Sequence, residues 1–179
     1  MVNKEFISLC SKAWSIQILS YMHQQNDPRI SPITHHFSAS RTSISAALQH
    51  LVGLGYVRKN TGHGHPLRPA YALTTKGKSL GAWAAELDQI LNPVDWGIAR
   101  RTWVLPVLRE MSPVRRYGEL RSKLHPVTDR ALSETLKKMG THNWLDRCVD
   151  IDSSPPSVTY TPQGTGLLLV PAMKESLSI

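Results

Sequence analysis

Residues 40–58 read SRTSISAALQHLVGLGYVR. Ser40 is an N-cap residue type, and Ile44, Leu48, Leu51 and Val52 fall on one face at helical spacing. Gly55 stands where such a helix would stop, and Tyr56-Val57-Arg58 begins a strand. Upstream, Trp14, Ile18 and Met22, with Leu19, keep i, i+4, i+8 spacing and predict an amphipathic helix. Ile33 and Phe37 predict a short helical segment between the two. Downstream, Thr61-Gly-His-Gly-His-Pro is turn-rich, Tyr71-Ala-Leu returns as a second strand, and Lys78 to Leu91 reads as a final helix. Leu80, Trp83, Ala84, Leu87 and Leu91 line one face of that helix. Three helices, a β-hairpin and a closing helix describe a winged helix-turn-helix.

The same ladder occurs again 87 to 89 residues later. Trp14, Ile18, Leu19 and Met22 return as Trp103, Val107, Leu108 and Met111; Ile33 and Phe37 as Leu120 and Leu124. Ile44, Leu48 and Leu51 return as Leu132, Leu136 and Met139, Tyr56-Val57 as Trp144-Leu145, and Thr74 and Gly77 match Thr161 and Gly164. In this second copy Thr102 is expected to cap the Trp103 helix, with Pro106 near its first turn, where a missing N–H is least costly. Tyr117 to Leu124 is the short helix, and Thr128 caps the next. Trp144 to Ile151 is a strand, Ser153-Ser-Pro-Pro the hairpin tip, and Val158 to Tyr160 the return. The last helix carries Pro171 and is expected to kink or stop there. Asn92-Pro93 is the natural boundary, giving winged-helix domains at 1–92 and 93–179. The fold class is mainly α with small β-hairpins (α+β), as two tandem winged helix-turn-helix domains forming an intrachain pseudo-dimer.

The chain has 179 residues, a formal net charge of +8 and two cysteines, Cys10 and Cys148, too few for a disulfide framework. No apolar run approaches the ~18 residues of a membrane-spanning helix, and the N-terminus lacks the charged-then-apolar order of a signal peptide. A cytoplasmic protein is expected. A basic balance favours polyanions. It is uneven: residues 1–92 hold nine Lys and Arg against four Asp and Glu, and residues 93–179 hold twelve against nine.

Arg115-Arg-Tyr-Gly-Glu-Leu-Arg-Ser-Lys-Leu, followed by Thr128 and Leu132-x3-Leu136, resembles the helix-turn-helix of HxlR-type winged-helix transcription regulators. Tyr71-Ala-Leu-Thr-Thr-Lys-Gly-Lys-Ser-Leu resembles the family's second wing strand and entry to the last helix. MarR and PadR groups share the architecture. The resemblance covers nearly the whole chain, once per repeat, and implies a DNA-binding regulator. Two features depart from the family. Its members are usually one winged domain that dimerises, whereas here two copies are joined. Its redox-sensing members carry a cysteine farther ahead of the tryptophan than Cys10, which lies only four before Trp14, so that role does not carry over.

A recognition helix needs polar side chains opposite its buried face. Arg41, Thr42, Ser45 and Gln49 lie away from Ile44, Leu48 and Leu51 in the first copy. Arg can read guanine, Gln adenine, and Ser or Thr either edge or a phosphate. The first wing adds Lys59, His63, His65 and Arg68 for phosphate or minor-groove contact. In the second copy Asp129, Arg130, Ser133 and Lys137 take the matching helix positions, with Arg115, Arg116 and Arg121 nearby. Its wing carries Asp146, Asp150 and Asp152, repulsive to phosphate, so both helices are expected to dock while the second wing contributes little.

Other signals are discounted. Gly77-Lys-Ser79-Leu-Gly81 matches a nucleophile elbow, but that motif needs a broad parallel sheet. His35-His36 and His63-x-His65 lack a completing Cys or carboxylate at metal-ligand spacing. No catalytic residue, metal or cofactor is expected. Cys148 is expected as a small buried hydrophobe, and Trp14 and Trp103 as core, with a ligand pocket between the repeats as their other use. The function read is a sequence-specific double-stranded DNA-binding transcriptional regulator, not an enzyme, with room for a small-molecule effector. Alternatives are a winged-helix protein-interaction module and a plasmid or phage replication initiator. The chain would act as a monomeric pseudo-dimer or a homodimer. The faces of Trp83, Leu87 and the last helix bear on that choice.

Overall fold

The computed structural model describes residues 4–60, 69–111, 115–152 and 156–175. In chain order these form α1 (Lys4–Cys10), α2 (Ser15–Gln24), α3 (Ile30–Phe37), α4 (Arg41–Gly53), β1 (Val57–Asn60), β2 (Ala70–Leu73) and α5 (Thr75–Ile90). There follow α6 (Pro93–Ala99), α7 (Val104–Glu110), β3 (Arg115–Arg116), α8 (Tyr117–Lys123), α9 (Asp129–Thr141), β4 (Leu145–Asp150), β5 (Ser157–Pro162) and α10 (Gly164–Glu175). They make two compact units: Lys12–Gln89, and Ile90 onward together with the N-terminal residues through Ser11. Each unit is a winged helix-turn-helix with a small antiparallel sheet, as the repeat predicts.

In the first unit α2 is buried almost all round, including Ser15, Gln17 and Ser20, and Ser20 donates a hydrogen bond to Asp88 of α5. α3 ends where Ser38 takes a left-handed conformation (φ 47°), and the chain enters α4 three residues later, at Arg41. Ser40 caps α4 as expected, its hydroxyl accepting from the Ser43 N–H at 3.1 Å. Ile44, Leu48 and Leu51 have no exposed surface. Past α4, Gly55 has φ +75°, and the Tyr56 N–H donates to the Leu51 carbonyl at 3.0 Å. Left-handed backbone is cheap for glycine, so the helix stops and the strand begins here. The hairpin pairs Val57 with Leu73 and Lys59 with Tyr71.

In the second unit Asn92 caps α6, its side-chain oxygen accepting from the Val94 and Asp95 N–H groups, with Pro93 at the helix start. Thr128 caps α9 through the Ala131 N–H at 3.2 Å. The expected cap at Thr102 is not made: α7 begins a residue later, with Trp103 at the N-cap and no side-chain cap. Two elements carried no sequence signal that we read. α1 packs on α7, burying Phe6, Leu9 and Cys10, with the Arg109 guanidinium 5.0 Å from the Phe6 ring. β3 pairs Arg115 with Tyr160 and Arg116 with Thr159, making the sheet three-stranded. Its counterpart in the first unit is a single bridge, Arg29 to Ala70.

Several expectations need correction. A Cβ on Gly77 would lie 1.9 Å from the Tyr56 carbonyl oxygen, and one on Gly166 would lie 2.2 Å from that of Trp144. The N–H groups of Thr74 and Gln163 donate to those same two carbonyls. The true equivalents of Thr74 and Gly77 are therefore Gln163 and Gly166, not Thr161 and Gly164. α5 starts at Thr75 rather than Lys78. α10 does not stop at Pro171. The carbonyl that loses its partner there belongs to Leu167, and both residues are exposed, so water can serve it. Trp14 and Trp103 are half-buried because each sits at a helix end, while Trp83, Leu87 and Trp144 are fully buried. Cys148 is exposed, like every residue of β4 after Leu145.

Candidate nucleic-acid interface

α4 presents Arg41, Thr42 and Gln49 to solvent and leaves Ser45 half-exposed, opposite its buried face. Residues 30–53, which hold α3 and α4, contain no Asp or Glu. Among the described residues Arg41 makes no ion pair, so its charge is available to a phosphate or a guanine edge. It acts instead on Tyr71: burial pushes that phenol up from its ordinary value, and the Arg41 charge partly opposes the shift. Lys59 is exposed directly across the hairpin from Tyr71. His63, His65 and Arg68 lie outside the described residues.

The second copy repeats the order of helices and hairpin with a different surface. Its helix opens with Asp129 where the first has Arg41, each directly following the cap residue. Arg121 of α8 donates from Nε to Asp129 Oδ1 at 2.9 Å. The Tyr117 hydroxyl lies 3.2 Å from that same oxygen and 3.2 Å from the Ser133 hydroxyl. Arg130 donates to Glu134 at 2.8 Å, and the carboxylate pushes the guanidinium further toward its charged form. Lys123 pairs with Glu110 at 3.1 Å. Arg115 is half-buried in β3, its Nε donating to the Glu110 carbonyl, while Arg116 and Lys137 are exposed. The predicted cations are thus gathered around α8 and α9, but several are already held by carboxylates of the same chain.

A groove of about 350 Å³ lies between α9 and the hairpin, with Leu136 and Leu145 at its apolar base and Ser133, Lys137, Arg147 and Tyr160 around it. Arg147 was missed by the reading of the second wing as acidic. The signal was in the repeat: Arg147 pairs with Tyr160 as Lys59 pairs with Tyr71. The exposed carboxylates of Asp146, Asp150 and Asp152 occupy other positions of the same wing.

Ser79 is an exposed residue early in α5, and the sheets of the described residues are antiparallel. Among the described residues no group of three or more His, Cys, Asp or Glu is placed to hold a metal, and no helix is long and apolar enough to cross a membrane. Cys10 is buried, which pushes its thiol up strongly, with the Arg109 charge opposing.

No curated protein matches the chain. The family model for the HxlR-like helix-turn-helix matches it twice, over residues 9–94 and 98–177. With two capped recognition helices, each followed by its hairpin, the chain belongs to the HxlR-like helix-turn-helix family of DNA-binding regulators and carries that domain in tandem.

Proposed function

We propose that the chain binds double-stranded DNA through two unlike recognition helices, α4 and α9, and regulates transcription without catalysis. Its copies, 1–92 and 93–179, act as a pseudo-dimer in one chain, in the cytoplasm where that DNA lies. The inversion from Arg41 to Asp129 at the first position of equivalent helices carries this reading. Arg favours guanine or phosphate, whereas a carboxylate accepts from cytosine N4 and repels phosphate. A homodimer imposes the same preference on both half-sites, about 34–36 Å apart; this chain is free of that constraint. Joining the heads makes the second docking intramolecular, which raises affinity without any new contact. Arg41, Thr42, Ser45, Gln49 and Lys59 serve the first head, with His63, His65 and Arg68 in its wing. Arg115, Arg116, Arg121, Arg130, Ser133 and Lys137 serve the second, with Arg147 added.

In-vitro selection of duplex sites at stated salt tests the proposal. Two different half-sites are expected. A perfect palindrome would assign the symmetry to a second chain and overturn the unlike-heads reading, and selection of no site would overturn DNA binding.

A further inference from the structure

The first unit contains a cleft of about 350 Å³ between the end of α2, the loop after it, the hairpin and the start of α5. Its apolar lining is Leu73 with the small exposed parts of Met22 and Ala72, within a mostly polar surface to which Arg58 and Lys78 bring two positive charges and His23 a further side chain. Among the described residues neither Arg58 nor Lys78 has an ion-pair partner. Asp27 also lines the cleft, and its carboxylate accepts from the Asn60 side-chain amide at 3.0 Å.

No residue of the recognition helix α4 lines this cleft, and Tyr71 is the one lining residue whose counterpart lines the groove beside α9. Residues paired across a strand register share a face of the sheet, and neighbours along a strand alternate. Lys59 and Tyr71 share one face; Arg58 and Ala72 share the other. In the second unit the counterparts of Lys59 and Tyr71, Arg147 and Tyr160, line the groove against α9. The cleft takes Arg58 and Ala72 from the opposite face, together with Tyr71 and Leu73 of β2, and no residue of α4.

The fold does not require these two cations. The second copy builds the same hairpin and closing helix with Asp146 in the place of Arg58 and Leu167 in the place of Lys78, the residue after the packed glycine. Two like charges drawn to one cleft, in one copy only, point to a ligand of opposite charge rather than to folding.

We propose that this cleft binds a small organic monoanion, a carboxylate with a compact apolar body, and that this ligand is the regulator's effector. A guanidinium matches a carboxylate through two parallel hydrogen bonds, and Lys78 adds a point charge. Met22, Ala72 and Leu73 take the apolar body, and the volume falls at the small end of ligand pockets, about 300–1,000 Å³. Asp27 disfavours a second negative charge, which selects a carboxylate over a phosphate dianion. β1 connects the cleft to DNA: Arg58 faces the ligand, and the next residue, Lys59, faces the recognition-helix side. Tyr71 also borders the cleft, within electrostatic reach of Arg41 at the start of α4. The effector role rests on the proposed DNA reading; the binding site does not.

The test uses the full chain, with benzoate, phenylacetate and hexanoate as probes and benzamide and inorganic phosphate as controls, followed by ligand-observed NMR. Saturable binding of at least one carboxylate is expected, with benzamide and phosphate much weaker. Arg58→Gln and Lys78→Gln should each weaken it by about tenfold or more, as loss of a charge-assisted contact does, and Lys174→Gln on the exposed surface of α10 should not. Both residues are exposed, and tryptophan fluorescence checks that the variants fold. Failure of all three carboxylates, binding that survives both substitutions, or equal binding of phosphate would each overturn the site. Duplex affinity is then measured with and without the bound carboxylate. An unchanged affinity removes the effector role and leaves the site. A chain that binds carboxylate but no duplex refutes the DNA reading instead.

Discussion

Asp129→Asn is the most informative single change in the second head. Asparagine keeps the shape and the oxygen that accepts from Tyr117 and Arg121, and replaces the other oxygen with a neutral amide, removing the charge that holds Arg121. The pair it breaks is exposed, Arg121 at 36% and Asp129 at 72%, with Nε to Oδ1 at 2.9 Å. Such pairs contribute less than about 1 kcal/mol, so the domain should remain folded. On DNA two effects add: a carboxylate leaves the first turn of the recognition helix, and Arg121 becomes available to a phosphate. Each phosphate neutralised changes the slope of log affinity against log salt by about 0.9. One new contact therefore steepens the slope by about 0.9, which is roughly a 3.5-fold difference in affinity across a fourfold range of salt. Arg41→Gln in the first head removes a charge from the same helical position and should flatten the slope by about the same amount. Fluorescence anisotropy with a selected duplex, from about 50 to about 200 mM salt, measures both. An Asp129→Asn slope that stays unchanged or flattens would refute the claim that Asp129 withholds Arg121 from DNA. Equal weakening at every salt would instead make Asp129 a base reader.

Further outcomes follow from packing and burial. Gly77→Ala and Gly166→Ala each force a Cβ to within 1.9 Å and 2.2 Å of a backbone oxygen, so urea denaturation should show losses above about 3 kcal/mol. Gly53→Ala meets nothing within 4 Å and should leave stability unchanged or slightly raised. Leu48→Ala and Leu132→Ala, fully buried on the two recognition helices, should each cost about 2–5 kcal/mol by the same assay. Iodoacetamide should label the exposed Cys148 in the folded protein and reach Cys10 only on unfolding, as mass spectrometry of the peptides can show. Because burial raises the Cys10 thiol, the folded state keeps its proton after the unfolded chain has lost it. Stability should thus fall as pH rises above the ordinary thiol value, by up to about 1.4 kcal/mol per pH unit. Cys10→Ala should remove that part of the alkaline loss, and identical pH profiles for the two proteins would contradict it.

Much of the fold was legible because its signals are local. Ser40 and Thr128 cap helices through the third residue ahead, Gly55 reverses the chain at one residue, and Ile44, Leu48 and Leu51 mark a face by spacing alone. The tandem order needed only the recurrence of those signals. Tertiary structure decided what depends on distant residues. The glycine that packs under each hairpin is defined by a carbonyl more than twenty residues away, so spacing matched Gly77 to Gly164 when contact matches it to Gly166. β3 is a strand only because β5 lies beside it, and α1 finds its place on α7 by burying Phe6 and Leu9. The charges divide the same way. Their number and uneven distribution were visible in the sequence. Arg130 and Glu134 pair at i, i+4 spacing on one helix, but that Asp129 holds Arg121 while Arg41 has no ion pair among the described residues, and that Arg58 and Lys78 meet at one cleft, follows from which surfaces folding brings together. Periodicity, capping and i, i+4 pairs act within a few residues along the chain, whereas the Arg121–Asp129 pair, the glycine contacts and the clefts are made between elements that only packing places side by side.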